Sequence, residues 1–276
     1  MSYKTILVHL NRASRAEAVL EPVVDMARKN EAHVIGVYLQ PRIQAAIAVD
    51  TLGNTTMLLD EIKIEQGNAE AIAATFERLT RGQTFTAEWR NVPATMPDFA
   101  GNVIDQAMTA DLVVASQHDP DWSQSGQLDF PERLILESGR PVLTIPYVGH
   151  YKTIGQTVVV AWKQGRESSR AVFNALPIMK HAKIVHILQI AEKRETLRPA
   201  TELAAALARH DVKAELQMSQ AIDQSIGNEL LSRIADLGTD LLVMGAYGHS
   251  RMREYVFGGA TRDVIKTMTV PTVFSH

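Results

Sequence analysis

Leu241-Leu242-Val243-Met244-Gly245-Ala246-Tyr247-Gly248 runs on through His249-Ser250-Arg251-Met252-Arg253 to Gly258-Gly259-Ala260-Thr261. The apolar run is too short for a helix and reads as a strand, after which Val264, Ile265 and Met268 read as a helix packed back on a sheet. Strand, glycine loop and helix N-terminus in that order suit an anion. The first turn of a helix carries unpaired N–H groups, and glycine lets a phosphate come close to them. The spacing is neither that of a Walker loop nor that of a dinucleotide fingerprint. Gly245, Gly248 and Gly258 are the candidate phosphate contacts, with Met244, Gly259, Ala260 and Thr261 beside them. Arg251 is a secondary candidate, since a guanidinium suits phosphate oxygens.

Each of these residues also has a plainer reading. Gly245 and Gly248 could serve only a turn after a strand, and Arg251 could be a solvated loop charge that offsets Glu254. Lys163, at the end of another strand, either meets a ligand phosphate or pairs with Glu167 one helical turn later, and in both cases marks the pocket. His9 and His186 lie on strands and read as core or half-buried residues. No His, Asp and Glu cluster has metal-ligand spacing. Neither a nucleophile elbow nor a pair of acids is placed near the loop, and adjacency of His249 and Ser250 does not align a nucleophile with a base. No catalytic residue is assigned.

The elements that would hold this loop need a large chain. At 276 residues, two domains are expected, each able to bury a core. With 46% hydrophobic and 21% charged residues the composition is that of a globular protein, and a net charge of −3 argues against nucleic acid as the main partner. There is no cysteine, which excludes disulfides, thiolate chemistry and Cys-based zinc sites. The apolar run Ile6-Leu7-Val8 is interrupted at His9 before a signal-peptide core forms, and no run approaches the roughly 18 apolar residues of a membrane span. A cytoplasmic protein with no membrane partner is expected.

Strands are expected at 4–10, 33–39, 85–89, 112–115 and 141–145, and helices at 16–29, 64–79, 96–108 and 132–137, the last started by Pro131. Pro141 suggests that 141–145 is an edge strand. The stretch 41–62 reads as an excursion beyond the sheet, with an apolar half that should cover something. The pattern then begins again after a linker at 147–154. Thr157-Val158-Val159-Val160 matches Thr5-Ile6-Leu7-Val8, Asp240-Leu241-Leu242-Val243 matches Asp111-Leu112-Val113-Val114, and Pro271-Thr272-Val273 matches Pro141-Val142-Leu143. Strands at 157–162, 184–190, 213–218, 241–245 and 271–274 alternate with helices at 167–179, 194–210, 224–237 and 260–267. A repeat of this length is two copies of a domain, here 1–147 and 153–276, not a solenoid.

With the repeat and the loop in hand, the chain resembles a tandem universal stress protein. Gly245, Gly248 and Gly258 fall in register with that family's nucleotide-binding glycine signature, although Gly259 stands where the signature has Ser or Thr. Trp162 to Val172 is similar to the family's first strand-to-helix turn. The resemblance implies an α/β fold of two tandem open, mostly parallel five-stranded sheets flanked by helices, of the adenine nucleotide alpha hydrolase-like kind. It also implies that the fifth strands of the two domains pair within the chain, and it leaves room for a homodimer.

The resemblance further implies an adenine nucleotide, ATP, bound in the C-terminal domain as a sensor or regulatory switch, with the phosphates on the glycine loop. Magnesium held by the nucleotide is compatible with this, since that ion keeps waters and takes phosphate oxygens. Slow hydrolysis could accompany binding, but no base is assigned. Lys163 stands where nucleotide-binding members have an acid that contacts the nucleoside, and an ammonium accepts no hydrogen bonds. In the first half, Ser116, Asp119 and Asp129 or a neighbour stand in the glycine positions and Asn11 at the acid position, so that site is expected to be lost. The alternative is a pseudo-dimeric interaction scaffold of the same family that binds no nucleotide.

Overall fold

The computed structural model describes residues 2–41, 55–94, 98–128, 130–193, 200–222, 224–248 and 259–276, with the backbone alone for Pro41, 55–62, Ala94, Gln127 and Leu128. In the first half the order is β1 (Thr5–His9), α1 (Ala13–Asn30), β2 (His33–Pro41), α2 (Thr55–Thr80), β3 (Ala87–Ala94), α3 (Phe99–Ala107), β4 (Leu112–Ser116), α4 (Ser125–Leu128), α5 (Pro131–Glu137) and β5 (Val142–Ile145). The second half runs β6 (Thr157–Ala161), α6 (Arg166–Met179), β7 (Ile184–Ala191), α7 (Thr201–Ala208), β8 (Ala214–Gln220), α8 (Ile226–Asp236), β9 (Leu241–Gly245), α9 (Ala260–Thr267) and β10 (Thr272–Ser275).

The ten described strands form one sheet in the order β3-β2-β1-β4-β5-β10-β9-β6-β7-β8. Neighbours are parallel except β5 and β10, which meet antiparallel with Leu143 opposite Val273. Ile6, Leu7 and Val8 of β1 and Leu241, Leu242 and Val243 of β9 are wholly buried. Strands covered on both faces need apolar residues at every position, which is why these runs do not alternate. The two core layers follow from the pleat: Ile6 and Val8 join one cluster and Leu7 the other.

The internal repeat has a chemical expression. Asp111 Oδ2 accepts from the Lys4 and Thr5 amides at 2.7 and 2.9 Å, and Asp240 accepts from the Gly155, Gln156 and Thr157 amides at 3.1, 2.9 and 2.9 Å. In each half an aspartate just before the fourth strand satisfies the otherwise unpaired backbone where the first strand begins.

Three expectations are corrected. The strand after Pro141 is not an edge, because β5 lies between β4 and β10; the free edges among the described strands are β3 and β8. Pro141 precedes the strand and uses only its carbonyl, which accepts from the Val113 amide at 3.0 Å, and Pro271 does the same for Leu242 at 2.9 Å. A missing N–H costs nothing at such a position. Helix α2 begins at Thr55, not at residue 64, so the end of the expected excursion is helical, while 42–54 lie outside the described residues. Strand β3 is displaced from 85–89 to Ala87–Ala94. Helix α7 is described over Thr201–Ala208, and 194–199 of the helix expected there lie outside the described residues.

Side chains and a proline fix three of the helix starts. Asp98 caps α3 by accepting from the Gly101 amide at 3.0 Å, and Ser225 caps α8 by accepting from the Asn228 amide at 3.1 Å. Pro131 opens α5, where a missing N–H is no loss. No helix among the described residues is long and apolar enough to cross a membrane.

Candidate functional site

In each half the chain leaves the first strand toward one side of the sheet and reaches the fourth strand on the other. The crevice at the carboxyl ends of these two neighbours is where open α/β sheets take ligands. In the second half these are β6 and β9, which pair with Ala161 opposite Met244. Lys163 follows β6, and Gly245 ends β9, so the fold brings these two sequence candidates to one crevice. Lys163 is exposed there.

Gly245 is glycine for a packing reason. A β-carbon on it would lie 2.5 Å from the Ser168 amide nitrogen and 2.6 Å from the Glu167 carbonyl carbon, both backbone atoms of the first turn of α6. Beyond it the loop is pinned on several sides. The Ala246 amide donates to the Ser275 carbonyl at 2.8 Å, and the Ala246 carbonyl lies 3.0 Å from His276 Nδ1. Tyr247 takes a left-handed φ of 56°, which a bulky residue adopts only when its surroundings hold it there. Its amide donates to Thr261 Oγ1 at 3.3 Å, and Thr261 is itself buried. Thr261 therefore ties the loop to the helix start.

Gly259 is the N-cap of α9 in extended conformation, and no side chain caps that end. A glycine N-cap offers no side chain to the first N–H groups of the helix, and such groups are what an anion site uses. Met244 is buried in the apolar layer beneath the loop. Gly258 and Arg251 lie outside the described residues, as do His249, Ser250 and Arg253.

Glu167, in sequence a partner for Lys163, also approaches the loop. A β-carbon on Gly248 would stand 3.1 Å from Glu167 Oε2, and one on Gly165 would stand 3.5 Å from the same oxygen. The Glu167 side chain is 13% exposed, and its Oε1 lies 3.5 Å from Arg166 Nη2. The missing side chain of Gly248 thus leaves room for a carboxylate of this chain. Position in the first turn of α6 favours that charge through the helix dipole. Sequence spacing gave the i,i+4 relation to Lys163 but held no signal for a contact across the crevice.

The equivalent crevice in the first half is closed. Arg12 pairs with Asp119, and its guanidinium carbon sits 5.6 Å from the Trp122 ring centre. Asp119 is further ordered: its Oδ1 accepts from the Asp121 amide at 3.0 Å, and its own amide donates to Ser125 Oγ at 2.8 Å. Asn68 of α2 accepts from the Ala13 amide at 2.9 Å and donates to the Asn11 carbonyl at 3.1 Å, holding the turn that opens α1. The space left among Asn11, Arg12, Ser116, Asp119, Trp122 and Tyr147 is about 10 Å³. That is room for about one water. Asp129 lies outside the described residues.

His9 and His186 are buried on β1 and β7. His9 packs 4.9 Å from the Phe130 ring, and burial lowers its pKa to about 4. Among the described residues no group of three or more His, Asp and Glu side chains could hold a metal ion.

This arrangement of a mostly parallel sheet, helices on both faces and a glycine loop at the switch point is the universal stress protein fold. A universal stress protein from Archaeoglobus fulgidus DSM 4304 superposes with a TM-score of 0.69, covering 98% of this chain and 95% of its own at 15% identity. A functionally unknown protein from Pseudomonas aeruginosa PAO1 does so with a TM-score of 0.57, covering 99% and 92% at 13% identity. Both likenesses therefore take in the two halves together. The sequence matches no protein-family model and no curated protein.

Proposed function

We propose that this chain is a tandem universal stress protein whose second half binds an adenine nucleotide, ATP, as a sensor or regulatory switch, while the first half keeps the fold without the site. The observation that carries this reading is the contrast between the two crevices. One ends in a strand-to-loop turn held through Ala246 and Tyr247 and a helix start whose N-cap is a glycine, and the other is filled by Arg12, Asp119 and Trp122. The antiparallel β5–β10 contact supports reading the halves as an intramolecular pair.

The residues fit a nucleotide in backbone more than in charge. Gly248, Gly259 and the N–H groups of α9 suit a phosphate, which in turn could bring magnesium with it, whereas Glu167 opposes bare negative charge. Calorimetry and thermal unfolding with ATP and AMP test the reading. A ligand at 100 times its Kd stabilises the native state by about 2.7 kcal/mol, a readily measured rise in Tm. Absence of both heat and thermal shift at millimolar ATP would count against it. The second reading, an interaction scaffold that binds no nucleotide, is favoured by Glu167 against Gly248 and by the exposed Lys163 at the nucleoside end.

A further inference from the structure

We infer that β8 is a pairing edge for a second copy of this chain, the two β8 strands meeting antiparallel about a two-fold axis at Gln217. Among the described strands β8 ends the sheet and pairs on one side, with β7. The Lys213 carbonyl accepts from the Val185 amide at 3.1 Å, and the Ala221 amide donates to the Ala191 carbonyl at 3.0 Å. Odd-numbered residues of the strand therefore turn their backbone groups to β7. Ala214, Leu216, Met218 and Gln220 turn theirs to the other side.

Natural sheets guard their edges with proline and charge, and the two edges here differ in that respect. On β3 the Thr86 carbonyl accepts from the Val34 amide at 2.9 Å, which puts Pro93 on the outward side, where it has no N–H to offer. Glu88 and Arg90 add a charged pair to that edge at 2.8 Å. β8, with the sequence Ala-Glu-Leu-Gln-Met-Ser-Gln, has neither proline nor glycine and a single charge. Its Leu216 and Met218 are 37% and 55% exposed, and Ile222 just beyond it is 64% exposed. These are three of the seven large apolar side chains exposed among the described residues, so exposed apolar surface gathers at this edge.

The occupant that fits is the strand itself. β8 runs from Ala214 to Gln220, and Gln217 is its midpoint. A two-fold axis there sets Leu216 opposite the partner's Met218 and Ala214 opposite the partner's Gln220, so every outward amide and carbonyl of the strand meets another. Leu216 and Met218 share one face, and each covers the other across the pair. Glu215 falls opposite the partner's Ser219, so no like charges meet. The chain already joins two edges in this manner, since β5 and β10 connect its halves as an antiparallel pair. A contact built on a strand edge falls at the small end of stable interfaces, so the dimer should be weak and depend on concentration.

The test is sedimentation of the full chain from about 1 to about 100 µM, where the mass should rise from that of one chain toward that of two. Met218→Lys places a charge against Leu216 at an exposed position. It should weaken association at least about tenfold while leaving the melting temperature unchanged. The absence of cysteine allows a test of register. Gln217→Cys sits on the axis, beside its own copy, and should give a covalent dimer on oxidation. Glu215→Cys would lie four residues out of step with its copy, roughly 14 Å away and beyond disulfide reach, and should not. A mass that stays at one chain throughout, or association that Met218→Lys does not weaken, would overturn the proposal. Equal cross-linking of the two cysteine variants would overturn the two-fold at Gln217.

Discussion

Gln117 Nε2 donates to the Ile265 carbonyl at 2.8 Å, linking the loop after β4 in one half to α9 in the other. The same side chain accepts from the Tyr147 amide through Oε1 at 3.2 Å and is 1% exposed. One buried amide thus satisfies the chain where the first half ends and touches the helix that follows the second-half loop. It lies beside the seam where β5 meets β10.

Gln117→Leu keeps the volume and leaves the Ile265 carbonyl and the Tyr147 amide without this partner. Orphaning a buried polar group costs roughly 1–3 kcal/mol. Chemical denaturation should show a loss of that size with an unchanged m-value. A loss below about 0.5 kcal/mol would mean that water replaces the amide and that the link is not structural.

The two loop glycines should separate by substitution. Gly245→Ala puts a β-carbon 2.5 Å from the Ser168 backbone nitrogen, so α6 must shift, and a cost of roughly 1–3 kcal/mol is expected. Among the described residues Gly248→Ala meets the flexible end of Glu167, at 3.1 Å, and should cost much less. Thermal unfolding of the two variants side by side measures the difference. Equal losses would show that Gly248 is held by backbone constraints as tight as those on Gly245.

His9 should make stability depend on pH. Its folded pKa lies near 4 because burial disfavours the charged ring, while the unfolded value is 6.5. The unfolded chain therefore takes up the proton first as pH falls. The contribution of His9 is complete above about pH 6.5, declines from there and is gone near pH 4, amounting to roughly 3 kcal/mol in all. A His9→Gln variant should show a correspondingly weaker loss of stability between pH 7 and 4. Parallel curves for variant and wild type would remove His9 from the acid response.

The sequence by itself determined the strand inventory and the repeat. Runs such as Ile6-Leu7-Val8 and Leu241-Leu242-Val243 are apolar at every position because both faces of their strands are covered, and a local composition records that directly. Asp111 and Asp240 were visible as matched letters, but their shared task of binding the first strand's amides was not. A glycine is likewise visible without the reason for it. Only the tertiary structure distinguished Gly245, which makes room for the backbone of α6, from Gly248, which faces a carboxylate. It alone showed that Arg12, Asp119 and Trp122 close the first crevice, since Arg12 comes from the loop after β1 and the other two from the loop after β4. Spacing along the chain carries information about neighbours on one element. Contacts across the crevice depend on how elements pack, and they decide what each loop can hold.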